Sequence, residues 1–138
     1  MKRYLLTAGA IAVSLAAFSQ TDPAARWLAA TCHALVGETK YTCRIDREAV
    51  IAGPAWDSSK PLPLSFAQAE RIARSELARL TKDEGAWEVM TFSLIRASGS
   101  ANWYYQVAMR PISRRTDKRY FNVYLNADGK PGSFYEER

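Results

Sequence analysis

The chain of 138 residues has few of the residue types that build most recognisable active sites. It contains one histidine and two cysteines. A metal site at His33 would need thiolates or carboxylates to complete it, and none of these shows metal-ligand spacing. A glycine-rich phosphate loop, a Gly-x-Ser-x-Gly elbow and a His-Glu-x-x-His motif are also absent. We therefore predict no catalytic residues, no metal and no cofactor.

Long hydrophobic runs are absent too, with one exception at the N-terminus. Two basic residues precede an uncharged run from Tyr4 to Phe18, which ends in small side chains of the kind that signal peptidases read. We predict a signal peptide over residues 1–19 that is cleaved between Ser19 and Gln20. The alternative is a retained anchor, but the uncharged stretch from Tyr4 to Thr21 barely reaches the roughly 20 residues that a membrane span needs. The expected product is periplasmic or secreted, with no stable membrane span after cleavage.

Positively charged residues are only slightly in excess over negatively charged ones. The formal net charge is +5, and cleavage would remove Lys2 and Arg3, leaving +3. This excess favours acidic partners weakly and does not indicate nucleic acid, which an exported protein would rarely meet. The remaining length suits one domain over residues 20–138. We divide it into an N-terminal part at 20–63 and a helix-plus-sheet part at 64–138.

One amphipathic helix, from Ser65 to Leu80, organises the predicted fold. Ser65 and Gln68 match a capping box, in which each side chain bonds the other residue's backbone N–H. One face then carries apolar residues at spacings of three and four: Phe66, Ala69, Ile72, Ala73, Leu77 and Leu80. The polar residues fall mostly on the other side, with Arg74 among them. A lone helix of about sixteen residues is marginal in water, so its apolar face must be buried.

Three stretches after this helix alternate apolar and polar residues, as half-buried strands do. They are residues 87–96, 102–110 and 120–126, and turn residues follow at 98–100 and 126–129. We predict an α+β fold, with the main helix packed on an antiparallel meander of three to four strands.

The N-terminal part has weaker patterns. Asp22 followed by proline is typical of a helix start, and we predict a short N-terminal helix that ends before Gly37. Residues 40–46 alternate like a strand, with a continuation at 49–51. Three prolines between 54 and 63 indicate a loop that holds Trp56 on the core.

These patterns together resemble the PepSY-like, cystatin-like small periplasmic domains. The resemblance spans residues 64–132 and is carried by Ala69, Ala73 and Leu77 on the helix, by Trp103-Tyr104-Tyr105-Gln106-Val107, by Phe121-Asn122-Val123-Tyr124-Leu125, and by Asp128-Gly129. It implies a cystatin-like fold and an exported inhibitory or sensing module without catalytic residues.

The two cysteines form an even pair in a chain that is expected to be exported. We predict a disulfide between Cys32, on the predicted N-terminal helix, and Cys43, on the strand that follows. Closing this loop of about 12 residues would stabilise the fold by about 3 kcal/mol in the chain-entropy model. The alternative is a redox or nucleophilic thiol with His33 as its base. Helix neighbours point about 100° apart, so Cys32 and His33 would be poorly placed to act together.

Two surfaces are candidate partner contacts. The first, here called the basic hairpin, is the connection at residues 110–119, which contains five cations and one acid. The cations are Arg110, Arg114, Arg115, Lys118 and Arg119. It is either a solvated hairpin tip or a contact for an acidic protein, lipopolysaccharide or phospholipid surface. The acids Glu136 and Glu137 are interpreted as solvated charges in a terminal tail.

The second surface is aromatic. Tyr104, Tyr120 and Tyr124 lie on the strand faces opposite the predicted core face. They form either an exposed surface for a partner or a dimer mate, or a surface covered by the N-terminal segment with Trp27 and Trp56.

These features predict an exported, non-enzymatic binding module, inhibitory or sensory in role. It would contact an unidentified protein or an anionic envelope surface through the aromatic sheet face and the basic hairpin. One alternative is a structural envelope protein that homodimerises through its sheet. The other is a small enzyme without a recognisable motif.

Overall fold

The computed structural model describes residues 28–36, 38–81, 87–112 and 120–137. The predicted signal peptide lies outside these residues. Within them the chain forms six strands and two helices, in the order β1 (Leu28–Val36), β2 (Thr39–Asp46), α1 (Arg47–Ala52), α2 (Phe66–Thr81), β3 (Trp87–Arg96), β4 (Trp103–Pro111), β5 (Phe121–Asn126) and β6 (Ser133–Glu137).

The described strands form two antiparallel sheets. The N-terminal sheet has the order β1-β2-β6, and the meander sheet has the order β3-β4-β5. The sheets meet at the turn between β5 and β6, where the Gly132 N–H donates to the Tyr124 carbonyl at 2.8 Å. Gly129 has a φ of 88° in this turn, a left-handed conformation that favours glycine. Beyond the turn β6 leaves β5 and pairs with β2.

The predicted α+β fold, one helix on one meander with a short N-terminal helix, is wrong. The described residues are mostly β, with 49% in strands and a second three-stranded sheet. The second sheet takes the place of the predicted N-terminal helix.

The main cause of the error is β1. Its side chains alternate between the two faces of the N-terminal sheet, with Ala34 buried and Thr31, His33 and Leu35 exposed. Alanine is a strong helix former and the segment follows a proline, so local propensity favours a helix. Pairing with β2 along its whole length overrides that propensity.

Two shorter elements also differ from the prediction. Residues 49–51 belong to α1, which buries Val50, and do not continue the strand. Strand β6 has no clear signal in the sequence, because it is only five residues long and two of its five side chains are exposed. It places Phe134 opposite Cys43 on β2.

The other elements agree with the sequence. Helix α2 begins with the predicted capping box, since the Ser65 N–H donates to Gln68 Oε1 at 2.9 Å and the Gln68 N–H donates to Ser65 Oγ at 3.2 Å. It buries Ala69, Ala73 and Leu77. Strands β2, β3, β4 and β5 lie where the alternation predicts them. An irregularity between Val89 and Thr91 leaves the intervening Met90 exposed.

Both faces of the meander sheet are covered. On one face α2 approaches Tyr105, whose hydroxyl accepts from the Leu64 N–H at 3.0 Å. On the opposite face β1 approaches Tyr104, whose hydroxyl donates to the Ala29 carbonyl at 3.4 Å. One hydrophobic cluster therefore includes residues from both sheets and from α2.

Candidate functional site

The two cysteines lie directly opposite each other on β1 and β2. Opposed residues in an antiparallel pair project to the same face, here the face that packs on β5. Cys43 is fully buried, at 0% exposure, whereas Cys32 is partly exposed. Both are free thiols. The disulfide between them stays a prediction, but the sheet register brings the pair together.

The backbone spacing at this position is compatible with a bridge. Directly opposed residues in an antiparallel ladder have Cα atoms about 4.5 or 5.5 Å apart, depending on the hydrogen-bonding site. Disulfide-linked residues have Cα atoms about 4.4–6.8 Å apart. Cys32 and Cys43 could therefore be linked without moving β1 away from β2.

The environment makes the two thiols unequal. The pKa of Cys32 is lowered, chiefly because the Cys43 thiol can hydrogen-bond to the Cys32 thiolate, with further hydrogen bonding from Asn122 and Tyr124. The same hydrogen bond, together with burial, raises the pKa of Cys43. The Cys32 sulfur also lies 4.0 Å from the backbone carbonyl oxygen of Asn122. Cys32 is therefore the thiol that ionises first.

His33 does not serve as a base for Cys32. Neighbouring side chains on a strand point to opposite faces of the sheet, so His33 is on the outer face of the N-terminal sheet. There it joins a polar cluster, defined as His33, Lys40, Thr42 and Glu137. Cys32 and His33 are thus poorly placed to act together, as predicted, but the reason is the geometry of a strand and not that of a helix.

The polar cluster centres on the Glu137 carboxylate. Its Oε1 atom is 2.8 Å from His33 Nδ1 and also accepts from the Thr42 hydroxyl, while its Oε2 atom pairs with the Lys40 ammonium. Hydrogen bonds from Lys40 and Thr42, with a smaller one from His33, lower the pKa of Glu137 to about 2. Glu137 is thus a partner to three side chains on β1 and β2, and the prediction of a merely solvated tail charge is wrong.

The cluster does not have the geometry of a catalytic triad. In a triad, one ring nitrogen of histidine faces the nucleophile and the other faces the carboxylate. Here Nδ1 is close to both the Thr42 hydroxyl, at 3.0 Å, and the Glu137 carboxylate. The arrangement is suited to tying the three strands of the N-terminal sheet together.

Two of the three tyrosines of the predicted aromatic surface are buried, and Tyr120 is exposed. Tyr104 and Tyr124 are 5% and 4% exposed and pack edge-to-face, with ring centroids 6.1 Å apart. Burial raises the pKa of both hydroxyls. The N-terminal segment covers this face, as the alternative prediction has it. The covering element is β1. Trp27 lies outside the described residues, and Trp56 packs instead on Trp103 at 5.4 Å.

The basic hairpin is described only at its ends. Strands β4 and β5 are paired as far as Met109 and Phe121, so residues 110–120 connect two neighbouring strands. The Arg110 guanidinium donates to Glu88 Oε1 at 2.7 Å. Ile112 and Tyr120, at the two ends of the connection, are 42% and 41% exposed. The other four predicted cations, Arg114, Arg115, Lys118 and Arg119, lie outside the described residues.

Two kinds of site are absent from the described residues. No group of three or more His, Cys, Asp or Glu side chains is arranged there to hold a metal ion. No helix there combines the length and the apolar character needed to cross a membrane.

Comparison of the chain with protein-family models, with curated proteins and with solved structures gives no match. The resemblance of residues 64–132 to PepSY-like, cystatin-like domains therefore stays a prediction.

Proposed function

We propose that this chain is an exported, non-enzymatic binding module that docks on an anionic envelope surface through its basic hairpin. The observation that carries the proposal is the composition of one connection between two paired strands. It contains five cations and a single acid, and an exposed Ile112 and an exposed Tyr120 flank four of these cations in the sequence.

The sheet fixes the two ends of the basic hairpin. Because β4 and β5 pair up to Met109 and Phe121, both ends of the connection are fixed at the same end of the meander sheet. The ion pair with Glu88 partly offsets the charge of Arg110. Four further cations follow within residues 114–119. Such clustering produces a stronger local potential than the same charge spread over the domain.

The flanking side chains favour a lipid surface over an acidic protein. Tyrosine is enriched at membrane–water interfaces, where its ring lies at headgroup level and its hydroxyl reaches water. An aliphatic side chain beside it can enter the acyl boundary while cations contact anionic headgroups. Ile112 and Tyr120 supply these two elements on either side of the cations. With Tyr104 and Tyr124 buried, the aromatic sheet face takes no part in the proposed contact.

Vesicle sedimentation tests the proposal. The exported form should bind vesicles of phosphatidylcholine with roughly one third phosphatidylglycerol, and should not bind phosphatidylcholine alone, because each cation near an anionic surface contributes about 1 kcal/mol. Arg114→Ala combined with Arg115→Ala should weaken binding roughly 30-fold. Binding should also weaken as salt rises, since the screening length falls from about 10 Å at 0.1 M to about 3 Å at 1 M.

A matched control removes the same charge elsewhere. Arg71 and Arg79 lie on the exposed side of α2, so changing both to Ala should alter vesicle binding by less than about two-fold if position matters. An equal loss in both double variants would show that net charge alone governs binding. Failure to bind anionic vesicles at low salt would leave an acidic protein or no partner at this hairpin, and would refute the proposal.

A further inference from the structure

A second site, independent of the basic hairpin, is formed by the opposed cysteines. Strand β1 pairs with β2 alone among the described strands and forms the edge of the N-terminal sheet. Cys32 on this edge is partly exposed, whereas Cys43 on the central strand belongs to the buried core. A reagent from solvent therefore reaches Cys32 before Cys43.

The accessible thiol is also the more reactive one. The thiolate, not the thiol, attacks disulfides. Hydrogen bonding with Cys43, with smaller contributions from Asn122 and Tyr124, lowers the pKa of Cys32, whereas the same hydrogen bond, burial and the Cys32 charge raise the pKa of Cys43. Exposure and ionisation thus select the same residue. If the more exposed thiol were not also the more acidic one, the structure would not indicate which cysteine reacts first.

We propose that Cys32 and Cys43 form a thiol–disulfide exchange site for small disulfides, in which Cys32 is the attacking thiol and Cys43 the resolving thiol. The geometry behind the proposal is the direct opposition of the two residues across β1 and β2. Directly opposed residues in an antiparallel ladder have a backbone spacing that is compatible with a bridge.

The reaction has two steps that balance. The Cys32 thiolate attacks one sulfur of R–S–S–R; a Cys32–S–R bond forms, and R–S⁻ leaves with the electron pair and takes up the proton that Cys32 released. The hydrogen bond to the Cys32 thiolate and the charge of that thiolate, which raise the pKa of Cys43, are lost in the mixed disulfide, so Cys43 can give up its proton. The Cys43 thiolate then attacks the Cys32 sulfur, and the second R–S⁻ leaves and takes up that proton. The dithiol loses two electrons, and the disulfide is reduced to two thiols. The product is a disulfide that joins β1 to β2.

Intact-mass analysis with oxidised glutathione tests the order. In Cys43→Ala, Cys32 should gain one glutathione and keep it, because no resolving thiol is present. The matched variant Cys32→Ala should gain glutathione at least about tenfold more slowly under native conditions. The unaltered protein should end without an adduct and two hydrogen masses lighter. Comparable rates in the two variants, or a stable adduct on the unaltered protein, would overturn the proposal.

A second measurement does not depend on the variants. Cys43 is fully buried, so Cys43→Ala could fail to fold, and circular dichroism will show whether it does. In that case, the unaltered protein is treated briefly with a maleimide, denatured, and labelled with a second maleimide of different mass. Peptide mapping should find the first label on Cys32 at least about tenfold more often than on Cys43. Equal labelling would refute the assignment of Cys32 as the attacking thiol.

Discussion

Arg74 shows how a residue can lie on the polar face of a helix and still join two elements. Its guanidinium pairs with Glu70 one turn earlier, at 2.8 Å, and donates to the backbone carbonyl of Trp87 at 2.6 Å. Trp87 is the first residue of β3 and is almost fully buried. Helical periodicity alone places Arg74 in solvent, because the contact with β3 depends on how the sheet meets α2.

Arg74→Ala should therefore lower the free energy of unfolding by about 1 kcal/mol, since it removes a charge-assisted hydrogen bond at a half-exposed site. Arg71→Ala, at an exposed position on the same helix, should cost less than about 0.5 kcal/mol. Urea melts of both variants make the comparison. Leu77→Ala should lower the free energy of unfolding by roughly 2–4 kcal/mol, the largest loss of the three variants, because Leu77 is buried. Indistinguishable losses for Arg74→Ala and Arg71→Ala would mean that the bond to Trp87 contributes nothing.

Among the elements, β6 depends most on polar contacts. It adds Glu137 to the polar cluster, and the pKa of Glu137 falls to about 2 in the folded state against about 4.3 for an unperturbed glutamate. An acidic group whose pKa is lower in the folded state than in the unfolded state stabilises the fold. This contribution is complete above the pKa of the unfolded state and is lost as pH falls through the pKa of the folded state. The polar cluster should therefore weaken between about pH 5 and pH 2.

Glu137→Gln should flatten the fall in stability over this range. Denaturant midpoints measured from pH 6 to pH 2 should decline less steeply for Glu137→Gln than for the unaltered protein. Glu136→Gln removes the same charge from the exposed neighbouring residue and should keep the original slope. Parallel slopes for all three proteins would show that the contacts of Glu137 with Lys40 and Thr42 are not maintained in solution.

The elements differ in how far their sequences determine them. Helix α2 and strands β3 to β5 have local signals, a capping box and a two-residue alternation, and these signals agree with the fold. Strand β1 has small inward residues, and its conformation depends on pairing with β2. Strand β6 pairs with β2 from some ninety residues away, as Cys43 opposite Phe134 shows. No local pattern contains that information.

The candidate sites also differ in whether local sequence or distant strand pairing determines them. The sequence predicts a Cys32–Cys43 pair because it contains two cysteines and an expected export signal. It does not predict that the two residues lie directly opposite each other on neighbouring strands, because local propensity assigns Cys32 to a helix. The cover over Tyr104 and Tyr124 is likewise a consequence of β1. The basic hairpin is visible in the sequence because it depends only on the spacing of charged residues between two strands.

At the scale of the molecule, both sheets share one hydrophobic cluster. Aromatic contacts cross between them: Phe121 of the meander sheet lies 6.1 Å from Tyr41 and 5.7 Å from Phe134, both on the N-terminal sheet. Neither sheet can separate without exposing these rings, so the described parts should unfold as one unit.

Unfolding should therefore follow a single transition. Tryptophan fluorescence reports on Trp27, Trp56, Trp87 and Trp103, the last two of which lie in the meander sheet. Its transition in urea should coincide with that of far-ultraviolet circular dichroism, which reports on all strands and helices. Phe134→Ala should shift both curves together. Two separate midpoints would indicate that the N-terminal sheet folds and unfolds independently.

The pairing of β6 with β2 also bears on biosynthesis. A ribosome releases β2 long before residues 133–137, and until those residues arrive β2 has one open edge and the Phe121 ring lacks its stacking partner. A nascent chain in this state offers unpaired backbone groups to other chains. Fragments that stop before Ser133 should consequently aggregate during production, and any fusion or tag is better attached after a spacer that leaves β6 free to reach β2.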